Sequence, residues 1–118
     1  MVASGNRPLT EKEDRLVRWM LEHGDPEARS FLPQVDLAEV TPWRCPCGCP
    51  SINFEIKGYP VPPPGVNAIA DFAFGGENDP HGIFVFENDG VLRGLEVYSM
   101  LGETRPLLPE PSELRPLK

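Results

Sequence analysis

The residues best suited to chemistry in this chain lie in one stretch, Arg44-Cys45-Pro46-Cys47-Gly48-Cys49-Pro50, which holds all three cysteines among the 118 residues. Thiolates are soft metal ligands and nucleophiles, so three of them within five positions leave three readings open. They bind a metal ion, they cycle between thiol and disulfide, or they are small soft residues packed where the chain enters a strand. Geometry bears on the first reading. In a straight strand alternate Cα atoms stand about 6.6 Å apart, so the first and last cysteines would be about 13 Å apart. Zinc takes each sulfur at about 2.3 Å, and an extended segment cannot deliver three of them to one ion. The chain must bend, and Gly48 is the residue able to turn it. Pro46 and Pro50 bias Cys45 and Cys49 toward extended backbone.

A zinc site also wants a fourth ligand. The expected set is Cys45, Cys47, Cys49 and His81, with His81 in a loop at the same end of the sheet. The spacing lacks the two-residue interval of structural zinc knuckles, and an iron–sulfur cluster usually wants four thiolates. His23 closes a helix, where a cation is favoured by the dipole. For redox chemistry, Arg44 would favour a nearby thiolate, but no βαβ context of the thioredoxin kind is present.

Elsewhere the signals for chemistry are weak. Asp71 sits between Ala70 and Phe72 and reads as an outward-facing strand residue. Glu77, Asp79, Glu87 and Asp89 belong to turns and lack EF-hand spacing. Glu96 follows the logic of Asp71. No Ser-His-Asp arrangement, phosphate-cradling glycine loop or HExxH is present. No catalytic residue is expected, and the chain reads as a binding module and not an enzyme.

Composition supports this. The net charge is −7, and the 11 Lys and Arg are scattered, which argues against nucleic acid and against an anionic membrane. The acidity serves solubility or offers a face to a basic protein. No apolar run approaches the roughly 18 residues of a membrane span, and the first residues carry no secretory signal pattern. Three adjacent cysteines do not make a secreted disulfide framework, so the expected compartment is a reducing cytoplasm. Eight Arg to three Lys, with abundant Ala, Gly and Pro, hints at a GC-rich bacterial genome.

The elements that must position the cysteines follow from local patterns. Residues 1–9 read as a loose leader. Thr10-Glu11-Lys12-Glu13 is a capping box opening a helix over 10–23, with Leu16, Val17, Met20 and Leu21 on one face. Gly24 suits a left-handed helix end. Asp25-Pro26 restarts a helix over 26–32, which Pro33 should stop. Period-two patterning then predicts about five strands: Val35–Val40, Ser51–Lys57, Val66–Phe74, Ile83–Glu87 and Val91–Met100. Asn88-Asp89-Gly90 marks a hairpin, and the prolines between Gly58 and Gly65 make a stiff loop. Residues 104–118 form an extended tail rich in Pro and Leu. The expected architecture is a single α+β domain over 10–103, with two N-terminal helices on a mainly antiparallel sheet.

The segments Leu9-Thr10, Leu21-Glu22-His23-Gly24, Pro26-Glu27-Ala28, Phe31-Leu32-Pro33-Gln34 and Cys45-Pro46-Cys47-Gly48-Cys49-Pro50-Ser51-Ile52 together resemble a family of small bacterial hypothetical proteins. Asp89-Gly90, Leu95-Glu96-Val97-Tyr98 and Leu108-Pro109 fit the same pattern, so the resemblance spans nearly the whole chain. It implies a grouping, and no activity, cofactor or site residue comes with it. The function expected from the residues is a cytoplasmic interaction module contacting a protein partner or a second copy, without nucleic acid or membrane. Trp43, the sheet face and the acidic loops are its candidate contact surfaces. Zinc binding through the cysteine cluster is the alternative, followed by thiol redox chemistry. No cofactor is expected on the first reading, and zinc is the candidate on the alternative.

Overall fold

Thr10 opens the first helix as its sequence requires. Its hydroxyl accepts the Glu13 amide at 3.1 Å while the Glu13 carboxylate accepts the Thr10 amide at 2.9 Å. Helix α1 (Glu11–His23) follows, and Leu16, Val17, Met20 and Leu21 are fully buried along its inner face. The structure is a computed structural model and describes residues 5–46, 48–102 and 104–117.

Gly24 ends α1 with φ −86°, ψ −150°, so it is not in the left-handed conformation the sequence suggested. A close approach demands glycine here. A Cβ at Gly24 would stand 2.6 Å from the Ala70 Cβ and 2.7 Å from the Ile69 oxygen. Pro26–Phe31 forms a 3-10 helix, and helix α2 (Leu32–Val35) continues from it. Pro33 therefore does not stop the second helix. It sits in the first turn of α2, where a proline removes no helical hydrogen bond. Asp25 caps with no side-chain hydrogen bond; its amide instead donates to the Ile69 oxygen at 2.8 Å.

Among the described residues seven strands, not the expected five or so, form one antiparallel sheet. They are β1 (Arg7–Pro8), β2 (Ala38–Val40), β3 (Ile52–Ile56), β4 (Asn67–Phe74), β5 (His81–Asn88), β6 (Val91–Ser99) and β7 (Arg115–Pro116), in the order β1-β2-β3-β6-β5-β4-β7. The two additional strands are two-residue edges from the expected leader and tail. Each contains proline, which a sheet accepts at its edge. The strand expected over Val35–Val40 shortens to Ala38–Val40 because α2 takes Val35. β5 and β6 join through Asp89 (φ 54°) and Gly90 (φ 80°), both left-handed as a two-residue Asp-Gly hairpin turn requires.

One sheet face carries Val40, Ile52, Phe54, Ile56, Ala70, Phe72, Ile83, Val85, Leu95 and Val97. With the inner sides of α1, the 3-10 helix and α2, they form the hydrophobic core. Each large side chain buried there is worth roughly 1.5–3 kcal/mol. A bulge between Ala68 and Ala70 breaks the simple alternation expected in β4 and lets Ile69 become buried as well. The opposite face, discussed below, carries Glu39, Glu55, Asp71, Phe84, Phe86, Glu96 and Tyr98. No described helix is long and apolar enough to cross a membrane.

Candidate thiol site

The cysteine segment leads into β3, and the chain turns there as its glycine allows. Gly48 has φ +83°, and its amide donates to the Cys45 carbonyl at 2.9 Å. The turn folds the segment back on itself. The sulfurs of Cys45 and Cys49 come within 2.9 Å of each other, and Cys49 Sγ stands 3.4 Å from Ser51 Oγ. Both cysteines are half-buried. Cys47 falls outside the described residues.

Ser51 anchors the exit of the turn. Its buried hydroxyl donates to the Val97 carbonyl at 3.1 Å and accepts the Val97 amide at 2.8 Å. A side chain thereby supplies a rung of the β3–β6 ladder, extending it beyond the Ile52–Leu95 pair. The rung fixes where β3 begins and so where Cys49 projects.

The turn forms one wall of a cleft of about 530 Å³, whose other walls include Arg7, Glu13, Thr41, Trp43, Arg44 and Ser51. Trp43 is 42% exposed at this rim. Arg7 grips Glu13 with two parallel hydrogen bonds of 2.9 and 3.0 Å. Burial by itself would raise the Glu13 carboxyl, but the Arg7 guanidinium and the Thr10 amide outweigh it and hold the group below its usual range. The cleft therefore has a fixed, internally neutralised charge pair on one side and two sulfurs on the other. Arg105 reaches across from the C-terminal segment. A Cβ built on Gly48 would lie 3.3 Å from Arg105 Nε and 3.4 Å from its Cζ, so the guanidinium rests on the glycine of the turn. Glycine is required here for its backbone angle, and its bare Cα leaves room for this contact.

His81 occupies a different setting. It is the first residue of β5 and not part of a loop. Its Nε2 pairs with Asp79 Oδ2 at 3.2 Å and its ring packs on Phe74, with centroids 5.1 Å apart. Asp79 is held in turn by the Thr104 hydroxyl at 2.6 Å; that bond, with the imidazole beside it, keeps the carboxyl below its ordinary value. His81 Nδ1 is buried without a hydrogen-bond partner among the described residues. No group of three or more His, Cys, Asp or Glu side chains among the described residues is arranged to hold a metal ion. Of the four sequence candidates, the structure thus brings together Cys45 and Cys49 and leaves His81 outside that group. His23 stacks on Trp19 with centroids 4.1 Å apart, and its Nδ1 lies 2.8 Å from the Trp19 oxygen.

The sequence offered no signal for Ser51, Arg105 or Arg7 at this site, because each arrives through pairing across long stretches of chain. Compared with protein families, curated proteins and solved structures, the chain matches none.

Proposed function

We propose that the protein is a non-enzymatic binding module of a reducing compartment whose ligand is zinc, held by the thiolates of Cys45 and Cys49 together with Cys47. The observation that carries this reading is the convergence of two sulfurs to 2.9 Å across a glycine turn. Tetrahedral zinc with sulfurs at about 2.3 Å sets them about 3.8 Å apart. Rotation of two half-buried side chains at a surface turn supplies the remaining separation. Zinc is the apt ion because it accepts thiolates without a redox step and tolerates an open fourth position. Water or a partner's side chain fills that position in this reading, since His81 is engaged by Asp79 and Phe74.

The test is metal content on the purified protein with parallel thiol titration. One zinc per chain, lost in Cys45→Ser and Cys49→Ser, supports the reading. Three thiols reacting freely in a metal-free protein rule it out.

The same distance favours a second reading. At 2.9 Å the sulfurs are closer than a zinc site sets them and not far from the roughly 2.05 Å of a disulfide. Closure would remove two protons and pass two electrons to an acceptor disulfide, which is reduced to two thiols. Incubation with oxidised glutathione discriminates: a discrete midpoint for loss of the Cys45 and Cys49 thiols, unaffected by zinc, belongs to redox chemistry alone.

A further inference from the structure

The sheet face turned away from the helices carries a second organised surface. Strand register places Asp71, Phe84 and Glu96 side by side on β4, β5 and β6. Two strand spacings separate the carboxylate-bearing backbones, about 9.6 Å. Phe84 lies between them. Its ring meets Phe86 at 5.7 Å and Tyr98 at 6.1 Å, centroid to centroid, so three aromatic rings share one floor. Glycines make that floor. At Gly82 a Cβ would stand 2.1 Å from the Tyr98 ring, and at Gly94 it would stand 2.8 Å from the Phe86 ring. Each ring therefore lies over the backbone of the neighbouring strand, with the Phe84 ring tilted 59° to both.

The charge on this face is mainly acidic, with Arg115 on it at the edge strand. Asp71 is exposed and Glu96 half-exposed, and neither has an ion pair among the described residues. Arg93, the nearest cation in sequence to Glu96, is tied to the carbonyls of Pro62 and Pro63. Arg115 faces Ala73 at the sheet edge without pairing to Asp71. Further along the same face Glu39 and Glu55 stand directly opposite each other, an arrangement that like charges disfavour. The Asp71 carboxyl is raised by burial and by Asp25, and Tyr98 is raised by burial and then by Asp71 and Glu96, so these charges act on the aromatic floor.

We infer that this face docks a basic peptide segment of a partner protein, seating one Arg or Lys side chain over Phe84 between Asp71 and Glu96. An aromatic face attracts a cation within about 6 Å of its centroid, and flanking carboxylates add directed hydrogen bonds to a guanidinium. A second copy of this chain would bring carboxylates against carboxylates, and a phosphate backbone carries the wrong sign. This inference stands independently of the cysteine turn.

Hexa-arginine is the probe, titrated into the full chain at low salt by calorimetry, with backbone amide shifts followed by NMR. Binding is expected with shifts centred on Phe84, Glu96 and Tyr98, and with no binding of hexaglutamate. The double variant Asp71→Asn with Glu96→Gln should weaken it about tenfold, and Phe84→Leu by several-fold, as loss of charge and of the ring face implies. Thermal melts of the same samples check that both variants fold. Unchanged affinity in the folded double variant overturns the inference. So do shifts centred on the Gly75–Pro80 loop, or a dimer in sedimentation that Phe84→Leu dissociates.

Discussion

Cys45 and Cys49 are four residues apart in the chain and 2.9 Å apart at their sulfurs, and Gly48 is the residue that makes this so. An L side chain at φ +83° is strained by about 1–2 kcal/mol, and here it would also press on Arg105. Gly48→Ala should therefore lower stability by about 1–2 kcal/mol in urea titration. Its larger effect falls on the site. Relaxing the turn separates the sulfurs, so zinc affinity measured by chelator competition should drop at least about tenfold, as expected when ligand geometry is lost.

Ser51 tests whether β3 holds the turn in place. Ser51→Ala leaves the Val97 amide and carbonyl without their buried partner. The expected loss is about 1–3 kcal/mol, with faster hydrogen exchange at Val97. A surface serine would give neither result.

Gln34 should behave in the same way at the other end of the sheet. Its buried amide donates to the Gly90 carbonyl at 2.9 Å and accepts the Leu92 amide at 2.8 Å, fastening the hairpin to α2. Gln34→Leu keeps the volume and strands the Leu92 amide. Denaturation should report a loss of about 1–3 kcal/mol, with hydrogen exchange at Leu92 accelerated.

Glu13 gives a pH dependence with a definite sign. Its folded pKa lies below the ordinary value of 4.5, held down chiefly by Arg7 against the opposing effect of burial. The stabilisation is thus fully present above that ordinary value and is lost as pH falls through the lowered one. Glu13→Gln should cost about 1 kcal/mol at neutral pH, through the cap and the charged hydrogen bonds, and little in strong acid. Melting temperatures of both proteins across the acid range should converge as pH falls.

Several parts of the fold were legible because the interactions behind them are local. The Thr10–Glu13 box, the Asp89-Gly90 turn and the alternation of Ile52, Phe54 and Ile56 each reside within a few residues. The need for a bend at Gly48 was legible from the length of an extended chain alone. What escaped depends on distant partners. Arg7–Pro8 and Arg115–Pro116 are too short to show a period, and only their pairing with β2 and β4 makes them strands. Gly24 ends α1 as its position implies, but what demands glycine there is the approach of Ala70 and the Ile69 carbonyl and not a left-handed angle. His81 is a nearer case: the β4–β5 hairpin itself folds Asp79 and Phe74 around the ring, which the loop reading did not contain. Phe84, flanked by Asp71 and Glu96, is a product of register, which no single strand encodes.

If Cys45 and Cys49 ligate one ion as proposed, X-ray absorption at the zinc edge of the purified protein reads their sulfurs in its first shell. The expected result is a sulfur shell at about 2.3 Å that disappears in the Cys45→Ser, Cys49→Ser double variant. A first shell of nitrogen and oxygen alone at about 2.0–2.1 Å, unchanged in that variant, would contradict it.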